Sequence, residues 1–82
     1  MSVPADFRKN GWNFGLEQEQ VNALRGIAQI HGWPREDFGP VSVMVHGVEY
    51  TLRVETTEEW HIYHLGWQVN GKPQAGSIQF HR

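Results

Sequence analysis

Histidine is the side chain most often used to bind a metal near neutral pH, and this chain carries five, with His61 and His64 only three positions apart. Spacing limits what that pair can do. On an extended strand, residues three apart point to opposite faces, so His61 and His64 meet at one ion only across a bulge. His64 and His81 come closer, diagonally across neighbouring strands in the register derived below, but no carboxylate joins them there. No metal site is expected. The absence of cysteine removes thiolate zinc and iron–sulfur chemistry as well. Ser77 near a histidine offers a nucleophile and a base, yet such neighbours on an exposed sheet are far more often bystanders than a catalytic pair. Glu58 and Glu59 place two carboxylates together, in a stretch that reads as a solvated turn. No nucleophile elbow, phosphate loop, zinc-protease helix motif or kinase signature occurs. Neither a cofactor nor an enzymatic activity is expected.

The stronger departure from an ordinary surface is apolar. Trp60, Ile62 and His64 alternate along one side of a strand opposite the core, and the expected register puts Arg53 and His81 beside Ile62. Tryptophan and arginine are the types most enriched at binding hot spots, and apolar groups rimmed by charge mark contact surfaces. Two functions suit these residues. The first is a small protein-binding module, an adaptor or inhibitor of the kind found among phage and mobile-element proteins, docking through this face or through an edge strand. The second stacks single-stranded nucleic acid on Trp60, with Arg53, His64, His81 and Arg82 near phosphates. Charge favours the first, because seven basic against nine acidic residues give a net charge of −2. The competing expectation is that the N-terminal arm, through Phe7, Trp12 or Phe14, folds over the same face.

The 82 residues suffice for one core and one domain, since a chain this short buries only about 60% of its unfolded surface. A composition 39% hydrophobic and 20% charged is that of a folding chain, not a disordered one. No stretch approaches the roughly 20 apolar residues of a membrane span, and no apolar run follows the N-terminal charges as in an export signal. No membrane partner is expected, and the lack of cysteine fits a reducing cytoplasm.

Residues 1–12 have no periodicity and read as an arm. Over residues 16–31, Leu16, Val21, Leu24, Ile27, Ala28 and Ile30 recur at helical spacing, with Asn13 or Gly15 as the cap and Gly32 and Pro34 as the stop. Gly26, inside this helix, suggests close approach to a sheet. Residues 33–40 read as a loop whose Trp33 and Phe38 cover an end of the core. From Val41 the period becomes two, which predicts four antiparallel strands over 41–81. A two-residue turn at His46 and Gly47 pairs Val45 with Val48, Val43 with Tyr50 and Val41 with Leu52. A loop of Thr56 to Glu59 sets Leu52 against Tyr63 and Tyr50 against Leu65. A loop of Asn70 to Pro73 sets Leu65 against Ile78 and Tyr63 against Phe80; the shorter Asn70–Gly71 turn is disfavoured because it opposes Leu65 with Gly76. The predicted fold is α+β, one helix on a four-stranded meander (α-β-β-β-β). Its first and last strands are the edges, and the uncharged edge from Val41 to Val45 suits a homodimer.

Overall fold

Apolar residues at helical spacing gather on one side of α1 (Gln18–Ile30), where Val21, Ala23, Leu24, Ile27 and Ala28 are buried. The computed structural model describes residues 12–82. Around α1 stand β1 (Trp12–Phe14), β2 (Phe38–Val45), β3 (Val48–Thr56), β4 (Trp60–Val69) and β5 (Lys72–His81). They form one sheet in the order β1-β5-β4-β3-β2, with every neighbouring pair antiparallel. The expected helix and meander are present, with one strand more than the sequence suggested. Trp12, the last residue of the expected arm, and the two residues after it form β1, which pairs along β5, so the sheet edges are β1 and β2. Phe7 lies outside the described residues.

The start of the helix differs from expectation. Glu17 is the N-cap, not Asn13 or Gly15, and its N–H donates to Gln20 Oε1 at 3.2 Å. Asn13 closes the preceding turn instead, donating through Nδ2 to the Leu16 carbonyl at 3.0 Å and accepting the Leu16 N–H at 3.1 Å. At the other end the Trp33 N–H donates to the Ala28 carbonyl at 2.7 Å, and the chain leaves the helix as expected. Gly26 does not approach the sheet; a methyl group there would meet nothing within 4 Å. Ile30, though it fits the apolar spacing, is 73% exposed.

Strands β2 and β3 pair as the alternation predicts, around a turn whose His46 and Gly47 have φ of 50° and 78°. Positive φ at both central residues is the type I′ geometry that matches strand twist. β2 starts earlier than expected, with a register shift between Phe38 and Val41. The β3–β4 pairing is displaced by two residues from expectation, so Leu52 faces Leu65 and Val54 faces Tyr63. Thr57 causes this. Its Oγ1 accepts the Trp60 N–H at 3.0 Å and its own N–H donates to the Trp60 carbonyl at 2.8 Å, which moves the turn one residue along. Thr56 therefore stays in β3, where its N–H donates to Asp37 Oδ1 at 2.8 Å.

The β4–β5 hairpin takes the register that the sequence disfavoured. Asn70 and Gly71, with φ of 52° and 78°, make a second tight turn, and Leu65 faces Gly76 while Ile78 faces Tyr63. The missing side chain at Gly76 is replaced from elsewhere. A Cβ there would lie 2.5 Å from Leu16 Cδ2, so Leu16, just outside the helix, fills the space over Leu65's partner. The core beneath α1 is then Tyr50, Leu52, Val54, Tyr63, Leu65, Ile78 and Phe80, with Trp33 closing one end edge-on to Tyr63 at 5.9 Å. Val43 and Trp67 are partly buried at its margin. The Tyr63 hydroxyl donates to the Pro34 carbonyl at 2.5 Å, tying the loop after the helix to β4. Among the described residues, no helix is long and apolar enough to cross a membrane.

Candidate functional site on the outer sheet face

Because Tyr63 and Leu65 point under α1, the even-numbered residues of β4 point away from it. Trp60, Ile62 and His64 are accordingly half-buried on the outer face. All five residues singled out by sequence reach that face, but not in the expected arrangement. Arg53 pairs with His64 and His81 pairs with Trp60, while Ile62 lies between Glu55 and Gln79. The two register shifts move Arg53 and His81 in opposite directions along β4, leaving Ile62 in the middle of a longer patch. His64 and His81 are no longer diagonal, since the residue opposite His64 is Ser77.

Two contacts organise the patch. The Trp60 indole stacks on the His81 imidazole, with ring centroids 3.9 Å apart and planes inclined at 28°. At the other end His64 Nε2 stands 3.1 Å from Glu55 Oε1, a hydrogen bond that becomes an ion pair when the imidazole is protonated. Sequence reasoning did not single out Glu55, because the expected loop of Thr56 to Glu59 sets it opposite Trp60, whereas the observed register sets it opposite Ile62 and within reach of His64. Phe14, on β1 and paired with Ser77, adds a 52% exposed ring. Beyond Arg53 and His64 the surface drops where Thr51 and Ala75 flank Gly66, opening a pocket of about 440 Å³ bounded by Glu49, Gln68 and Pro73.

Ser77, His64 and Glu55 thus lie in sequence across three strands, an order suggestive of nucleophilic catalysis. Among the described residues no hydrogen bond joins Ser77 to His64, so the hydroxyl has no base poised on it. His61 points to the opposite face, as its spacing from His64 requires, with its Nδ1 3.4 Å from Thr56 Oγ1. Burial holds this imidazole below its usual range, and the Arg82 and Arg35 charges push the same way against Glu36. Among the described residues, no group of three or more His, Asp or Glu side chains converges as a metal site would require. No family model matches the chain, and neither a curated protein nor a solved structure is significantly similar to it.

Proposed function

We propose that the chain is a non-catalytic protein-binding module, an adaptor or inhibitor that docks a second protein on its outer sheet face. The observation that carries this reading is the Trp60–His81 stack beside Ile62, an apolar ledge on a face that the core does not use. Stacking fixes the indole in one orientation before a partner arrives, which lowers the ordering cost of binding. The rim of Arg53, His64 and Glu55 supplies charge of both signs, and the adjoining pocket at Gly66 would accept a protruding side chain. Mixed charge argues for a protein surface over a nucleic-acid one. A stacking ring with Arg53 farther along the same face fits single-stranded bases, but Glu55 and Glu49 on that face would repel their phosphates.

The test compares capture of partners by the wild-type protein and by Trp60→Ala and Ile62→Ala variants of unchanged melting temperature. A protein retained by the wild type and weakened about thirtyfold or more by Trp60→Ala supports the reading, as expected of a hot-spot aromatic. Equal retention by all three overturns it. Binding to a single-stranded oligonucleotide that collapses with added salt would transfer the site to the nucleic-acid reading.

A further inference from the structure

The opposite edge of the sheet from β1 is β2, and among the described residues β3 is its sole neighbour. Its reach from Val41 to Val45 bears no charge, and Pro40 with the register shift after Phe38 blunts the strand only at its start. Hydrogen-bond parity fixes which groups are open. Val45 and Val48 flank a two-residue turn, so they form a bonded pair, as do Val43 with Tyr50 and Val41 with Leu52 two and four steps along. The intervening residues, Ser42 and Met44, therefore direct both N–H and C=O away from β3. The free edge presents two complete residues and nothing else of regular strand geometry, since Pro40 lacks a donor and His46 is in the turn.

We infer that this edge pairs with a second copy of the chain, antiparallel about a two-fold axis through Val43. Symmetric pairings are few. Centring the axis on Ser42 sets Met44 against Pro40, and centring it on Met44 sets Ser42 against His46. Only the axis at Val43 opposes Ser42 with Met44 in both directions, giving about four hydrogen bonds between complete partners. The same register acts on the core side. Val41, Val43 and Val45 are half-buried and packed at the margin of the core. Across the axis Val43 would meet its own copy and Val41 the second copy's Val45, joining two incomplete valine rows into one strip. On the outer face Met44, 63% exposed in the single chain, would gain the second copy's Ser42 as its cross-strand neighbour. Two sheets joined this way keep their helices on one side and present two Trp60 patches on the other.

The experiment measures the mass of the full chain by sedimentation equilibrium from about micromolar to about millimolar concentration. A monomer–dimer equilibrium is expected. Met44→Pro removes an outward donor without touching the β2–β3 ladder and should raise the dissociation constant at least tenfold while leaving the melting temperature of the monomer in place. A double change, Ser42→Lys with Met44→Lys, sets like charges directly opposite and should also abolish the dimer. Ser42→Glu with Met44→Lys sets opposite charges there and should restore it, which no other register predicts. A mass that stays monomeric throughout overturns the inference. So does a dimer that is indifferent to all three variants, because its interface would lie elsewhere. Trp60→Ala should leave the mass unchanged, which separates this result from that of the outer-face reading.

Discussion

On the side of the sheet facing α1, Leu52, Leu65 and Ile78 are at most 2% exposed, whereas Trp60, Ile62 and His64 on the other side keep part of their surface in water. Strand β4 contributes to both sets by alternation, giving Leu65 to the inner face and Trp60, Ile62 and His64 to the outer one. Each face therefore encodes its own task, and the inner one has little freedom because close-packed side chains register any change of volume. The outer one is free to hold an indole stacked on an imidazole. This comparison also shows why a face is more robust than a register. Both hairpins that depart from expectation do so by two residues, and an even shift leaves every side chain on its original side.

Truncation should break the inner face most. Leu65→Ala is expected to cost about 2 to 5 kcal/mol as a buried large-to-small change, measured by denaturant unfolding; a loss no greater than that of Ile62→Ala would invert the two faces. Next comes the filled gap on the inner side. Gly76→Ala places a methyl against Leu16 and should cost about 1 to 3 kcal/mol, and Leu16→Ala combined with it should lose less than the sum of the two singles.

A smaller loss, about 0.5 to 1.5 kcal/mol, is expected for Tyr63→Phe, which removes the donor to the Pro34 carbonyl. Titration gives a second readout at this residue, because burial pushes the Tyr63 phenol up to about 12. Its folded value lies above the free one, so its contribution is present below about pH 10 and is lost as pH rises through the folded value. Tyrosinate absorbance should appear for Tyr63 well after that of a free tyrosine, and earlier ionisation would show the ring to be poorly covered.

His61 works in the other direction. With its folded value lowered, unfolding takes up a proton, so stability is present above about pH 6.5 and falls as pH drops through the folded value. Melting temperatures at about pH 7.5 and about pH 5 should differ more in the wild type than in His61→Gln. Equal differences would detach His61 from the rim of the core. The smallest effect belongs to the outer face, where Trp60→Ala and Ile62→Ala should move stability far less than Leu65→Ala while altering partner capture.

Much of this architecture was legible from periodicity alone. The change from a 3.6-residue to a two-residue repeat near Val41 located the helix and the meander, and Val41 to Val45 alternated cleanly enough to fix the first hairpin. Three things were hidden. β1 has only three residues, too few to show a period, and is held by its pairing with β5. Thr57 captured its turn through a side-chain hydroxyl, a local bond that apolar counting does not weigh. At Asn70–Gly71 the search for large partners outweighed the strongest turn signal in the chain, because the residue that fills the space at Gly76 arrives from a separate element. The same alternation brought Trp60, Ile62, His64, Arg53 and His81 to one face, and the same two turns gave them other neighbours than expected. Glu55 beside His64 is what those turns concealed.

Leu16 resting over Gly76 also bears on the order in which the chain can settle. The three hairpins join neighbours in sequence and close short loops, but β1 and Leu16 must await β5, which lies near the far end of the chain. Closing so long a loop costs entropy before any contact repays it, which places this step late and makes it slow relative to the hairpins. A nascent chain still lacking β5 would have a leucine without its socket, and the first and last strands would lock together only once synthesis had passed the residue that has no side chain at all.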